Sequence, residues 1–384
     1  MPLANEVKLT QMNKNFESFS NITRRVLKLG SEKWIPHVKA REMEKNTPDL
    51  IVLTIGEPDI PVNKKLVKIC SDSMNKGRTR YSSGRGEPNL LEALSSKYSK
   101  STGSKIKREN ILCFPGTQTA LFVAMMGLAE KGDEVLVGDP LYASYEGVIE
   151  ATGAKMVKVP LKKEIGFSMT AEALEKAITP NSKVLLLNSP HNPTGAVLTK
   201  KEIEVIGDIC LENNIWIISD EVYDRIVFDS EHVSFVGTEY DKVMLINSFS
   251  KTFAMTGWRI GYIMSANLEA MKQVIKMQYY ITACSNDAMQ YAVLEAMEKA
   301  SDYPDILAKE FHARCNLIVD RLNAMPGVEC HRPKGSIYVF PKIQVPGLSS
   351  QELAMELLKD GVLCSPGTAF GPSGEGHLLS LIHI

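Results

Sequence analysis

Residues 243–247 read VMLIN, and the chain continues Ser248-Phe249-Ser250-Lys251-Thr252-Phe253-Ala254-Met255-Thr256-Gly257-Trp258-Arg259-Ile260-Gly261. A short apolar run without polar alternation is what a strand covered on both faces requires. The loop that leaves it is rich in small and hydroxylated residues. It carries one lysine between hydroxyls and an arginine eight positions on. A doubly covered strand belongs to a layered α/β architecture, and the loop then lies at the strand's C-terminal end, where open α/β sheets place their ligands.

Outward from this stretch the same grammar repeats. Residues 51–55 (IVLTI), 111–114, 134–137, 155–159, 183–188 and 215–219 read as further strands, and 260–264 as another. Helix-period stretches at 88–101, 117–130, 171–178 and 200–213 alternate with them. The alternation predicts a mainly parallel sheet with helices on both sides. Beyond residue 264 the pattern becomes α+β: helices at 268–279, 287–299 and 305–325, a strand pair 327–330 and 337–340, a helix at 350–358 and a strand at 362–364. The expected division is an arm and part of a small domain at 1–60, a large domain at 61–290 and the rest of the small domain at 291–378. The helix at 305–325 bridges the two, and the first 18 or so residues form a loose polar arm.

Composition excludes several classes. The 384 residues are 44% hydrophobic and 23% charged, which argues against disorder and coiled coil. A formal net charge of -1 gives no global reason to bind nucleic acid or an anionic membrane. The seven cysteines are odd in number and form no C-x-x-C pair, as expected of free thiols in a reducing compartment. Scattered histidines make a metal site unexpected. With no secretory signal and no apolar run long enough to cross a bilayer, the expectation is a cytoplasmic protein. No phosphate-loop, dinucleotide or nucleophile-elbow pattern is present.

The chemistry gathers at predicted strand ends. Lys251 could condense with an aldehyde cofactor, while the serines and Arg259 could hold a phosphate dianion. Alone, such a lysine reads first as a surface residue in a serine-rich turn. Three more segments follow strands: Gly116-Thr117-Gln118, Asn188-Ser189-Pro190-His191-Asn192, and Ser219-Asp220-Glu221-Val222-Tyr223. A helix starting at Thr117 offers unpaired N–H groups to phosphate. A carboxylate at Asp220 could keep a pyridine nitrogen protonated. Asn192 and Tyr223 could donate to a ring phenolate, and Tyr142 could stack on the ring.

Together these segments, from about residue 51 to 378, resemble the class I pyridoxal-phosphate aminotransferases of fold type I. The resemblance implies a seven-stranded, mainly parallel sheet sandwiched by helices, with a smaller α+β domain. It implies that Lys251 binds pyridoxal 5'-phosphate and shuttles the proton, with Asp220 on the pyridine nitrogen and Tyr223 and Asn192 on the phenolic oxygen. It further implies that Tyr142 stacks on the ring and that Ser248, Arg259, Gly116, Thr117 and Gln118 cup the phosphate. Tyr81 would reach the phosphate of a neighbouring subunit, implying a homodimer with shared sites. Gly56 and Asn192 would face the substrate. The implied reaction is ping-pong transfer of an amino group from an L-amino acid to a 2-oxo acid. A carbon–sulfur lyase or a decarboxylase on the same scaffold, or a ligand-sensing protein, are the alternatives. Gln118 stands where one aspartate-specific branch has a lysine, and the segments 188–196, 219–223 and 231–234 look more like arginine–pyruvate transaminases.

The end of the chain departs from the family. Leu379 stands where the arginine for the substrate α-carboxylate is expected, and leucine cannot supply that fork. Residues 379–384 (LSLIHI) can be encoded by CTG TCT CTT ATA CAC ATC, which matches a transposon-adapter end. They are expected to be a non-native tail, and the chain is expected to hold cofactor but bind amino acids poorly.

Overall fold

In the computed structural model, residues 18–29, 34–43, 47 and 49–382 are described. The expected loose arm falls almost wholly outside them. Seven strands form the main sheet: β1 (Ile111–Phe114), β2 (Glu134–Asp139), β3 (Lys155–Pro160), β4 (Ser182–Asn188), β5 (Trp216–Asp220), β6 (Val243–Ser248) and β7 (Gly261–Met264). Their spatial order is β1-β7-β6-β5-β4-β2-β3. All neighbours are parallel except β7, which is antiparallel to both β1 and β6. Every residue of β1, β2, β6 and β7 is buried, which explains their apolar centres, with polar residues only at the ends of β2 and β6. β3, at one edge, exposes Lys155 and keeps Lys158 half-buried, a pattern that blunts edge pairing.

Helices cover both faces. Ala171–Ala177, Lys200–Glu212 and Tyr303–Asn323 share one core with β4 and β5. Thr117–Leu128, Tyr145–Thr152 and Leu268–Thr282 share another on the opposite side. Pro88–Thr102 and Asp287–Lys299 cover the β1–β7 end. Parallel register then sets the site: Asn188 lies opposite Asp220, and Asp220 opposite Ile246, so the C-terminal ends of β4, β5 and β6 finish level.

The α+β portion forms smaller sheets. Tyr338–Val339, Leu378–Leu381 and Ser365–Pro366 make a three-stranded antiparallel sheet with Leu378–Leu381 in the middle. The run expected at 51–55 does not join the main sheet. Only Ile51–Val52 is strand, parallel to Val362–Leu363. Nor do 327–330 and 337–340 pair with each other: Val328–Glu329 pairs with Lys342–Ile343, and Tyr338–Val339 with the C-terminal strand. Strand partners across a loop are chosen by tertiary packing that local sequence does not encode. Helices at Asn21–Leu27, Ile35–Met43, Lys64–Asn75 and Tyr145–Thr152 were not expected from the sequence pattern.

Candidate active site

The C-terminal ends of β4, β5 and β6 open into a cavity of about 460 Å³, within the range of small-molecule sites. Lys251, three residues past β6, lies in its wall, and its ammonium donates to the Gly56 carbonyl. Burial pushes the Lys251 amine down to about 8. Glu57 opposes the fall, Arg259 adds to it, and Asp220 opposes it. A lysine poised near neutrality is a usable nucleophile and base.

Asp220 ends β5 and is buried. Its carboxylate accepts from the Tyr145 hydroxyl at 2.8 Å and from the Val222 N–H at 3.3 Å. Burial pushes it up to about 6, against both hydrogen bonds. Strand alternation turns the next side chain the other way. Glu221 is buried and bonded to Ser219 Oγ, His232 Nε2, Ser234 Oγ and the Phe235 N–H, which pins the turn carrying Asp220 and Tyr223.

Asn192 follows β4, its N–H donating 2.7 Å to Asn188 Oδ1. Its own Oδ1 is buried with no partner in the protein. The side chain lines the cavity, and the unpaired oxygen is an acceptor that only a donor can complete. Tyr223 meets Tyr338 hydroxyl to hydroxyl at 2.9 Å. Tyr142 stands edge-on to Tyr145, 5.3 Å between ring centroids, and lines the cavity above Asp220's hydrogen-bond donor.

An anion cradle closes one end. Gly116, at φ 84°, begins the helix Thr117–Leu128. A Cβ on Gly116 would lie 2.2 Å from Arg259 Nη2, so only glycine lets the guanidinium reach the helix start. A Cβ on Gly261 would meet Thr117 N at 3.0 Å. Arg259 itself adopts φ 56°, a conformation uncommon for non-glycine residues and concentrated at functional sites. The helix N-terminus and the guanidinium together suit a dianion. The low-pKa lysine, the buried carboxylate and this cradle fit a phosphorylated pyridine aldehyde.

The expected residues therefore converge: Lys251, Asp220, Tyr223, Asn192, Tyr142, Thr117, Gln118, Arg259 and Gly56 all line one cavity, and Gly116 backs it. Two differ. Ser248 ends β6 buried, its Oγ accepting from Ser250 N, and Ser250 lines the cavity instead. Tyr81 is 89% exposed and lies outside the cavity. Trp34, His37, Arg41, Glu57, Tyr145 and Tyr338 line it without having been singled out in the sequence. Nothing in the local pattern marks Tyr145, which opens the helix Tyr145–Thr152 while Tyr142 lies outside it. Leu379, 1% exposed, also reaches the wall. Residues 378–381 form a strand buried at every position, which a largely apolar segment can do whatever its origin; the last two residues lie outside the described ones.

The family model described as Aminotransferase class I and II matches residues 48–378. The chain belongs to that family. It is a pyridoxal-phosphate-dependent aminotransferase of fold type I. It is 34% identical over 368 residues to the arginine–pyruvate transaminase AruH of Pseudomonas aeruginosa, covering 94% of this chain and 92% of that one. It is 36% identical to an aspartate aminotransferase of Pyrococcus horikoshii, covering 88% and 87%. A solved single mutant of the Thermus thermophilus aspartate aminotransferase superposes with a TM-score of 0.90 at 30% identity, covering 95% of each chain. Identities this similar to relatives named for different donors do not choose between arginine and aspartate. Among the described residues no helix is long and apolar enough to cross a membrane, and no group of three or more potential ligands is placed to hold a metal ion. The seven cysteines are free, all buried except the half-buried Cys284.

Proposed function

We propose that this cavity is where the aminotransferase works and that Lys251 is its reacting amine. The observation that carries the reading is a lysine of lowered pKa sharing one cavity with the buried Asp220 and with the Gly116–Arg259 cradle. Pyridoxal phosphate, when bound, supplies an aldehyde and an electron-withdrawing pyridinium ring. Asp220 would hold the proton on the ring nitrogen, and Tyr145 would hold Asp220. Asn192 and Tyr223 would donate to the phenolic oxygen. Tyr142 would cover the ring. Thr117, Gln118, Arg259, Gly116 and the Ser248–Ser250 turn would grip the phosphate. Lys251, once neutral, would carry the substrate's Cα proton.

The donor we favour is neutral or basic rather than aspartate. Gln118 brings no charge, and the wall carries the Glu57 carboxylate, which accepts from Thr256 Oγ1 at 3.0 Å. The acceptor is a 2-oxo acid. The enzyme is read as a cytoplasmic homodimer, its large domain at 61–290 and its small domain at 1–60 and 291–378, with Tyr81 serving the partner's phosphate. That reading is supported by the exposure of Tyr81, Tyr279 and Tyr280, whose two segments are joined where Ser82 Oγ donates to the Ser285 carbonyl just past the helix Leu268–Thr282.

The test is reconstitution with pyridoxal phosphate followed by a donor screen against pyruvate and 2-oxoglutarate. The expected result is a visible absorption band and an oxo-acid product, both lost in Lys251→Ala. A band that survives in Lys251→Ala would overturn the assignment. Release of ammonia or thiol without any acceptor would establish a lyase instead.

A further inference from the structure

Tyr338 comes from the three-stranded sheet, where it pairs with Leu381, and it is 4% exposed. It was not among the residues expected in the site. Its hydroxyl lies 2.9 Å from that of Tyr223, the rings 5.9 Å apart at 82°. This is the one hydrogen bond of either hydroxyl among the described residues. The same oxygen fills the space beside Gly56, where an added Cβ would stand 1.9 Å from it. Gly56 in turn accepts from the Lys251 amine. One phenol thus touches both the presumed cofactor donor and the loop that meets the reacting lysine.

Either hydroxyl can donate in this contact, and the role given to Tyr223 decides between them. Burial raises both phenols, so each keeps its single proton. Two hydroxyls sharing one contact use one proton between them and leave the other free. If Tyr223 donated to Tyr338, it could not also donate to a ligand. We propose that Tyr338 is a positioning residue: it donates to Tyr223, and so commits the Tyr223 proton to the phenolic oxygen of the cofactor. This rests on the role given to Tyr223 above. A donor that itself accepts a hydrogen bond is a stronger donor. Tyr338 therefore sharpens the donation that stabilises negative charge on that oxygen.

The readout is the pH midpoint of the bound cofactor's visible absorption band. Donation to the phenolic oxygen favours the form with more negative charge there, so losing Tyr338's hydroxyl raises the midpoint. Tyr338→Phe is expected to move it up by about 0.2–0.6 pH units. In a Tyr223→Phe background the same change should add nothing, because its route is gone. Gly56→Ala, whose methyl displaces the Tyr338 oxygen, should reproduce the upward shift without altering either tyrosine. An unmoved midpoint in both Tyr338→Phe and Gly56→Ala, with Tyr223→Phe still shifting it, overturns the inference and leaves the site reading intact. An unmoved midpoint in Tyr223→Phe overturns both. An undiminished Tyr338→Phe shift in the Tyr223→Phe background also defeats the inference, since Tyr338 would then act by another route.

Discussion

Lys251 and Asp220 are shifted by the same cause, removal from water, in directions that follow from their charge. For Lys251 the consequence is kinetic. Only the neutral amine attacks an aldehyde, so incorporation of pyridoxal phosphate into the apo-protein should accelerate about tenfold per pH unit up to pH 8 and then level off. Stopped-flow absorbance at a series of pH values checks this; a rate that is flat from pH 6 to 8 contradicts it. For Asp220 the consequence is thermodynamic. Its folded value, about 6, lies above the ordinary 3.8, so the native apo-protein holds more protons than the unfolded chain in between. That contribution is full below 3.8 and lost as pH rises through about 6. Asp220→Asn should therefore stabilise the apo-protein at pH 7 by on the order of 1 kcal/mol while cofactor affinity collapses, a trade common at functional sites. Urea melts and a binding titration on the same samples measure both. Leu379 calls for the opposite experiment. Its buried apolar side chain offers nothing to a carboxylate, and Leu379→Arg should lower KM for amino-acid donors about tenfold or more, the usual worth of a charge-assisted fork. At this scale the sequence was informative where polar chemistry breaks apolar text at strand ends, as at Lys251, Asp220 and Asn192. It was silent on Tyr145 and Tyr338. Tyr338 between Ile337 and Val339 looks like core, Tyr145 beside Ser144 and Glu146 looks like surface, and only the three-dimensional meetings with Tyr223 and Asp220 tell otherwise.

At the scale of elements, the helix Thr117–Leu128 and the strand ends share the work of binding an anion. Its start depends on Gly116, which has a positive φ and lies against Arg259. Gly116→Ala should cost about 1–3 kcal/mol of stability through strain. It should also weaken pyridoxal phosphate far more than pyridoxal, because the displaced guanidinium serves only the phosphate. Comparing the two ligands by fluorescence quenching separates local damage to the cradle from general unfolding; equal losses for both would point to the latter. The main strands were legible because both faces are covered and polar residues stand only at their ends. The helix Tyr145–Thr152 was not, since eight residues containing Gly147, Val148 and Ile149 show no clear helical period. The segment 51–55 had strand composition but belongs to a two-residue pairing with Val362–Leu363, a partner some 310 residues away.

For the whole molecule, the cavity is built from distant parts of one chain: Gly56 and Tyr338 from the smaller sheets' surroundings, Lys251 and Asp220 from the main sheet. Tyr81, like Ser248, is an expected site residue outside the cavity wall, and unlike Ser248 it is 89% exposed. A tyrosine so placed makes sense if a second copy covers it, and two-fold symmetry then places each copy's Tyr81 at the other's site. That geometry has a consequence no monomer can reproduce. Lys251→Ala should be inactive alone and Tyr81→Ala weakly active. When the two are unfolded together, mixed and refolded, hybrid dimers should carry one site with both lesions and one with neither. Random pairing then makes about a quarter of all sites intact, so activity should rise above that of the Tyr81→Ala protein alone. A mixture that gives only the average of its parents would mean that each chain completes its own site. Tyr81 would then be a surface residue with no part in the chemistry.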